Sequence, residues 1–187
     1  MRKSGSKSFT LVELLVVISI IGLLSSIIIV SVNGVRKKAR DAKRLADMQQ
    51  IVKALMLYYD DKNGRFPGST SSYGESEPLG CGGWDSSAAD NDSDGRFFIE
   101  PLETDGIMPK VPLDPINTAV ACNGYTYRYY RYGAGTSGCD AIRGAFFVLG
   151  VNDMETSGRP YPASPGWSCP SRNWQGEFDW VIGGFEN

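Results

Sequence analysis

The sequence predicts an α+β fold in which a long N-terminal α-helix packs on a small antiparallel β-sheet head. Residues 9–60 contain no proline and follow helical patterns, first uniformly apolar and then apolar on one face. Farther on, short aromatic and apolar runs alternate with glycine-rich turns, as expected of antiparallel strands. A chain of 187 residues is long enough for one such domain.

The predicted helix has two halves of different character. Residues 9–33 are nearly uncharged, and about 20 apolar residues suffice to span a bilayer. Residues 34–60 keep apolar side chains at spacings of three and four, which predicts one buried face. The stripe comprises Leu45, Met48, Val52, Leu55 and Tyr59, with Ile51 and Met56 beside it. We interpret it as core packing against a head formed by residues 61–187.

One carboxylate, Glu13, interrupts the apolar half of the helix. An ionised group there costs about 3 kcal/mol or more on membrane-insertion scales, which marks it as a functional-site candidate. It follows a basic leader, residues 1–8, that carries Arg2, Lys3 and Lys7. The alternative is a carboxylate held at the headgroup level by the favourable dipole of the helix N-terminus.

The leader and the run Phe9-Thr10-Leu11-Val12-Glu13 resemble the N-terminus of type IV pilins and type II secretion pseudopilins. The resemblance implies that a prepilin peptidase cuts between Ser8 and Phe9 and methylates the new amine, which keeps its positive charge. Ser8 departs from the glycine that is usual at this position. The resemblance also implies that Glu13 pairs with the Phe9 amine of a neighbouring subunit, since an unpaired charge in an apolar filament core is heavily penalised.

The same resemblance implies a pilin-like fold, a homopolymeric filament of this chain, and an inner-membrane assembly platform as a further partner. The subunit would start as a single-pass precursor in the cytoplasmic (inner) membrane, in contact with lipid and with its N-terminus inside. It would end in a periplasmic or extracellular filament. A basic flank follows the apolar run, and the positive-inside rule would place this flank in the cytoplasm. The leader motif and the cysteines indicate export of the head instead, and we give them more weight. The flank comprises Arg36, Lys37, Lys38, Arg40, Lys43 and Arg44.

Two other membrane interpretations remain open. A cleaved signal peptide could end at Ser25-Ser26 or Ser31, and a plain single-pass anchor fits the length of the apolar run. Neither interpretation accounts for Glu13 or for the leader pattern.

Two later elements bear on the branch of the family. Asn63-Gly64-Arg65-Phe66-Pro67 resembles the Gly-x-Tyr-Pro element that follows the helix in major pseudopilins, and residues 108–115 resemble their proline-rich loop with Asp-Pro. These elements favour a type II secretion pseudopilin. The long cysteine-bearing loops, which could face outward and mediate adhesion, favour a type IV pilin.

An acidic segment of the head predicts calcium as a cofactor. Asp90, Asp92 and Asp94 alternate and precede Gly95, like the first half of a calcium loop, in which oxygens at alternate positions converge on one ion. Pro101 occupies the position of the usual bidentate glutamate. The alternative is a solvated acidic loop.

A second calcium candidate comes from the resemblance. The first candidate lies at the end of a long loop predicted for residues 68–94. Major pseudopilins bind calcium in a later loop, which corresponds to residues 150–155 of this chain. The resemblance therefore implies Asp153 and Glu155 as alternative ligands.

Three strands are predicted in the head. They are Gly124–Tyr132, Ala145–Leu149 and Phe178–Ile182. Alternating tyrosine and arginine in the first strand would also suit stacking on nucleic-acid bases. However, residues 62–187 carry 9 Lys and Arg against 16 Asp and Glu, and phosphate binding needs the opposite sign. No nucleic-acid partner is therefore expected.

Four cysteines fall in the head: Cys81, Cys122, Cys139 and Cys169. An even number in an exported, loop-rich sequence predicts two disulfides, and three pairings are possible. We favour Cys122–Cys139 with Cys81–Cys169, which would tie the loops around the hairpin. A zinc site is the alternative, but the chain has no histidine and no Cys-x-x-Cys pair.

The absence of histidine also removes the commonest general base, and no phosphate-binding glycine motif occurs, so we predict no catalytic residues. The predicted function is that of a structural filament subunit that assembles through its N-terminal helix. The alternative is a membrane-tethered, calcium-dependent binding or adhesion module that does not polymerise. Replacement of Glu13 separates the two, because only a filament subunit depends on that carboxylate.

Overall fold

We describe a computed structural model of the chain over residues 9–68, 83–89, 97–118 and 123–187, without the side chains of residues 26–31. The helices are α1 (Leu11–Asp61) and α2 (Glu100–Thr104). The strands are β1 (Asp85–Ser86), β2 (Tyr127–Tyr132), β3 (Phe146–Val151), β4 (Ser168–Cys169), β5 (Arg172–Asn173) and β6 (Trp180–Phe185). The long N-terminal helix and the four-stranded antiparallel sheet confirm the predicted α+β, pilin-like class.

The chain divides into two compact units, one ending at Ala39 and the other comprising Arg40–Asn187. In the first unit, the described side chains are exposed and most of them are apolar; Phe9 and Leu11 expose 83% and 79% of their surface. Within the described part of the chain, no helix combines the length and the hydropathy expected of a segment that crosses a membrane. The transmembrane role of residues 9–33 stays a prediction.

The second unit is built on a four-stranded antiparallel sheet with the order β1-β2-β3-β6. In the central pair, Tyr127 of β2 lies opposite Val151 of β3, and Tyr132 lies opposite Phe146. β6 pairs with the other side of β3, while β4 and β5 form a separate two-stranded hairpin. β2, β3 and β6 confirm the three predicted strands, with bounds shifted by up to three residues.

Two short elements, β1 and α2, have no counterpart among the predicted elements. Asp85 and Ser86 of β1 pair with Tyr129 and Arg128 of β2, although the sequence predicts a loop there. A two-residue strand is too short to show the alternation by which strands are recognised. The Asp85 carboxylate accepts the Ile99 N–H at 2.8 Å, which ties β1 to the residue before α2.

The predicted apolar stripe of α1 packs on one face of the sheet. Met48, Ile51 and Leu55 are fully buried there, whereas Met56 is 41% exposed. The sheet contributes Tyr127, Tyr129, Phe147, Leu149 and Val151 to this core. Each fully buried aliphatic side chain contributes about 2 kcal/mol of hydrophobic free energy, so the stripe holds the second half of α1 against the head.

The other face of the sheet carries a second, aromatic core. Phe146 and Val148 of β3 belong to it, together with Trp174 and Phe178. A Cβ atom at Gly150 would lie 2.6 Å from the Phe178 ring, so only glycine lets this ring lie against the strand. The sheet is therefore covered on both faces.

A disulfide between Cys139 and Cys169 lies in this second core, with Cα atoms 5.0 Å apart. The predicted pairing of Cys122 with Cys139 and of Cys81 with Cys169 is therefore wrong. A cysteine forms one disulfide bond, so neither Cys139 nor Cys169 is left for its predicted partner. Cys81 and Cys122 lie outside the described residues.

Candidate functional site

Thr10 and Glu13 form a reciprocal capping box at the start of α1. The Thr10 N–H donates to Glu13 Oε2 at 2.9 Å, and the Glu13 N–H donates to Thr10 Oγ1 at 3.3 Å. The Thr10 hydroxyl also donates to Glu13 Oε2, at 2.7 Å. These bonds satisfy backbone donors that the first helical turn leaves without partners. The Thr-x-x-Glu spacing is the sequence signal of this cap, and the cap goes beyond the dipole effect considered above.

The capping bonds use one carboxylate oxygen of Glu13 and leave the other open. Oε2 accepts both Thr10 bonds, whereas Oε1 has no hydrogen-bond partner within the described residues. The surrounding surface is apolar and exposed; Val12 and Leu14 expose 69% and 61% of their surface. Phe9 is exposed at the same end of the helix, and Ser8 lies outside the described residues. An acceptor oxygen thus stands open on an apolar helix surface.

A group of five charged side chains, mostly buried, joins the second half of α1 to the loops of the head; we call it the ionic cluster. Arg44 donates twice to Asp114, from Nε to Oδ2 at 2.7 Å and from Nη2 to Oδ1 at 3.1 Å. Its Nη1 donates to Asp41 Oδ1 at 2.7 Å and to Glu155 Oε1 at 3.0 Å. Arg40 binds Glu155 through two bonds of 2.6 Å.

The charges of the ionic cluster are stabilised by one another and by the backbone. Hydrogen bonds from Arg40 and then from Arg44 outweigh burial and lower the pKa of Glu155 to about 2. Burial opposes the charge of Arg44, but its bonds to Asp114, Glu155 and Asp41 prevail and raise its pKa. Asp41 also accepts the backbone N–H groups of Glu155 and Thr156. Arg44 and Glu155 therefore stay ionised although their side chains are buried.

A second polar contact between α1 and the sheet lies beside the ionic cluster. The Tyr127 hydroxyl donates to Asp47 Oδ2 at 2.8 Å, and Lys43 Nζ pairs with the same oxygen at 2.6 Å. Burial, and then the negative charge of Asp47, raise the pKa of the Tyr127 hydroxyl. The hydroxyl therefore stays protonated and remains a donor to the helix.

The residues at the second predicted calcium site do not fit that ion. Both Glu155 oxygens accept hydrogen bonds from arginines, and Asp153 accepts the Gly124 N–H at 3.0 Å. Calcium needs six to eight oxygen ligands, and guanidinium groups beside the carboxylate would repel the ion. Among the described residues, no group of three or more His, Cys, Asp or Glu side chains could hold a metal ion. The other predicted calcium ligands lie outside the described residues: Asp90, Asp92 and Asp94.

Comparisons with known proteins match part of the chain. The prokaryotic N-terminal methylation motif matches residues 3–29. Type II secretion system core protein G of Aeromonas hydrophila and that of Klebsiella michiganensis are each 37% identical over 67 residues. The type IV wide pilus major component PilA4 of Thermus thermophilus is 40% identical over 59 residues. None of these names is that of an enzyme.

The similarity covers only part of each protein. The alignments span 36%, 36% and 32% of this chain, and 46%, 46% and 45% of the respective relatives, so the chain matches less than half of their length. No solved structure matches the chain. The methylation motif at the capped N-terminus and these relatives support a place for the chain in the family of type IV pilins and type II secretion pseudopilins.

Proposed function

We propose that the chain is a structural subunit of a filament, either a type IV pilus-like filament or a type II secretion pseudopilus. The observation that carries this proposal is the carboxylate of Glu13, which stands on an exposed apolar helix with one oxygen open. Burial of apolar surface gains about 25 cal/mol per Å², so a helix of this kind gains free energy from an apolar cover. Identical helices of other copies supply that cover in a filament.

In the proposed assembly step, Glu13 sets the register between copies. Cleavage between Ser8 and Phe9 creates an amine at Phe9, and methylation keeps the amine positively charged. Oε1 of Glu13 then accepts a charge-assisted hydrogen bond from the Phe9 amine of a neighbouring copy, while Oε2 keeps the Thr10 cap. A displaced copy would leave two unpaired charges in apolar surroundings, which disfavours every other register.

We propose that the subunit reaches the filament from a membrane. Its precursor would be a single-pass protein of the inner membrane, with residues 9–33 in lipid and the N-terminus on the cytoplasmic side. A prepilin peptidase and an inner-membrane assembly platform would be its partners, and the filament would be periplasmic or extracellular. The methylation motif and the similarity to a type II secretion core protein and a type IV pilus component support this route.

Replacement of Glu13 by glutamine tests the pairing separately from the cap. Glutamine can close a capping box, but it carries no negative charge. We expect Glu13→Gln to abolish filaments in sheared fractions while the circular dichroism of the chain stays that of the wild type. Glu13→Ala loses the cap as well, and Glu100→Gln is the matched control in the head. A wild-type yield of filaments from Glu13→Gln would contradict the proposal.

The same variants address the alternative of a tethered binding module that does not polymerise. Such a module would be indifferent to Glu13→Gln, because its binding would depend on the head alone. Within the filament class, loss of substrate secretion on deletion would mark a pseudopilin. Loss of retraction-dependent motility would mark a type IV pilin.

We further propose, from the sequence alone, that Asp90, Asp92 and Asp94 bind calcium. Three carboxylates so close together repel one another unless a cation joins them. The test is calorimetric titration of the full chain in neutral detergent with calcium, in which Asp92→Asn should weaken binding and Asp140→Asn should not. An absence of calcium-dependent heat would leave a solvated acidic loop.

A further inference from the structure

Three consecutive cations of α1, which we call the basic collar, take no part in the site described above. They are Arg36, Lys37 and Lys38. All three are exposed, and none has an ion pair within the described part of the chain. Single exposed cations are ordinary, but three in succession concentrate positive charge at one level of the helix.

The next three cations of α1 after the basic collar are all paired. Arg40, Lys43 and Arg44 each reach a carboxylate at 2.6–2.7 Å. The only carboxylate within one helical turn of the collar in sequence is Asp41, which already accepts bonds from Arg44 and from two backbone N–H groups of the head. The described residues therefore supply no counter-charge for the collar.

The basic collar directly follows a long uncharged segment. Residues 14–35 contain no charged side chain, and as a helix they rise about 33 Å. The hydrocarbon core of a bilayer is about 30 Å thick, with headgroups on either side. When this segment lies in a membrane, Glu13 and the collar therefore fall at opposite headgroup levels.

We propose that the basic collar binds the phosphate groups of anionic lipids on the membrane face opposite the N-terminus. The proposal rests on the membrane stage of the proposed function and names the lipid class that the subunit meets there. Cations beside an anionic membrane surface are each attracted to it, so the collar adds a charge-selective contact to the apolar segment. This contact holds the subunit at one depth before assembly.

The geometry of the basic collar favours lipid over a second copy of this chain. Successive residues of an α-helix project about 100° apart, so the three cations point to different sides of α1. Lipid headgroups surround a helix on all sides and can meet every one of them. A neighbouring protein surface contacts one side and would select cations three or four residues apart.

The test measures the lipid preference of the full chain in phosphatidylcholine vesicles that contain a minor fraction of phosphatidylglycerol. Electron paramagnetic resonance of spin-labelled lipids gives the preference of the protein for one lipid over the other. Arg36→Gln/Lys37→Gln removes two collar charges. Lys53→Gln/Arg65→Gln is the matched control, since it removes one exposed lysine and one exposed arginine from the second unit.

The wild type and the control variant should prefer phosphatidylglycerol. The collar variant should lose this preference, by up to about fivefold for each cation removed. Molar salt should also weaken it, because the screening length falls to about 3 Å at 1 M. A wild type without preference, or equal losses in the collar and control variants, would overturn the proposal. An unchanged lipid preference combined with lost crosslinking between copies would assign the collar to contacts between subunits instead.

Failure of the proposed function would look different from failure of this inference. If alkaline carbonate extracts the wild-type chain from the vesicles, the apolar helix does not insert, and the membrane stage itself is wrong. If the chain resists extraction and shows no lipid preference, the basic collar has no anionic partner while the membrane stage stands.

Discussion

The residues of α1 before and after Ala39 place the same chemical groups in opposite environments. Before Ala39, Glu13 and the basic collar are exposed beside apolar side chains. After it, Asp41 and Arg44 are 1% and 0% exposed and pair with each other and with the head. Asp41 and Arg44 have their partners inside the chain, whereas Glu13 and the basic collar are open to partners outside it.

Substitutions in the two stretches should therefore affect different properties of the protein. Removal of the buried charges after Ala39 should destabilise the head, while changes before Ala39 should spare the fold and alter assembly or lipid contact. Tryptophan fluorescence can separate the two effects, because every tryptophan of the chain lies in the head. These residues are Trp84, Trp167, Trp174 and Trp180.

Removal of Arg44 should have the largest effect on the head. Arg44→Ala leaves Asp114 and Asp41 buried without their main counter-charge, which should lower the free energy of unfolding by about 3–5 kcal/mol. The measurement is urea unfolding of the full chain in neutral detergent, followed by tryptophan fluorescence. Arg36 is an exposed cation of the same helix, and Arg36→Ala should change the free energy of unfolding by no more than about 0.5 kcal/mol. Equal losses of unfolding free energy in the two variants would contradict the difference between the two stretches of α1.

The second-largest effect expected is a loss of head stability in acid, caused by protonation of Glu155. Its pKa is about 2 in the fold, below the ordinary value of 4.5, so its contribution is complete above pH 4.5 and is lost as the pH falls toward 2. Solvent screens the pair with the partly exposed Arg40, so this contribution is on the order of 2 kcal/mol. Urea midpoints measured across this pH range should fall more steeply for the wild type than for Glu155→Gln. Parallel pH profiles would show that the arginine pairs of Glu155 add no stability.

Loss of the Tyr127 hydroxyl should have a smaller effect. Tyr127→Phe removes the donor to Asp47 but keeps the ring in the core, and it should cost about 1–2 kcal/mol because the acceptor is a buried carboxylate. Tyr130→Phe is the control, since the Tyr130 ring is only half-buried. Thermal unfolding of both variants provides the measurement. A larger loss at Tyr130 would contradict the assigned contact.

Removal of the N-terminal cap should leave the head unchanged. Thr10→Ala deletes the capping hydroxyl, a change that costs about 1 kcal/mol of local helix stability. Hydrogen exchange of the first helical turn should accelerate severalfold, while the tryptophan unfolding midpoint stays that of the wild type. A shift of that midpoint would show that the stability of the head depends on the cap.

The sequence predicts much of the fold because its signals are local. The apolar stripe of α1 and the aromatic or apolar runs of β2, β3 and β6 can each be recognised within one short segment. The cap of Glu13 is local as well, since its partner Thr10 stands three residues away. By contrast, β1 is too short to show a pattern, and it forms only because β2 lies beside it.

The ionic cluster could not be predicted in the same way, because its members are far apart in the sequence. Asp114 and Glu155 lie 70 and 111 residues from Arg44, and a run of Arg and Lys after an apolar segment is typical of a solvated flank. A weaker signal does exist. The positions Asp41, Arg44, Met48, Ile51 and Leu55 recur at spacings of three and four, so the two charged residues share the buried face.

The disulfide illustrates the same limit. Cys139 follows β2 and Cys169 belongs to the β4–β5 hairpin, and both reach the aromatic core on the face of the sheet opposite α1. Their separation of 30 positions in the sequence gives no local signal of this arrangement. The predicted pairing was chosen because it would tie the loops around the hairpin. It therefore missed Cys139–Cys169, the pair that the folded sheet brings together.

The central claim is that the chain is processed at Phe9 and then assembles into filaments. Its most direct test is the intact mass and N-terminal peptide map of the chain recovered from sheared filaments and from the membrane. We predict a filament fraction that starts at an N-methylated Phe9, and a membrane fraction that includes the unprocessed precursor. A chain that still starts at Met1, or that is cut after Ser25 or Ser31, would contradict the account and favour a tethered or secreted binding module.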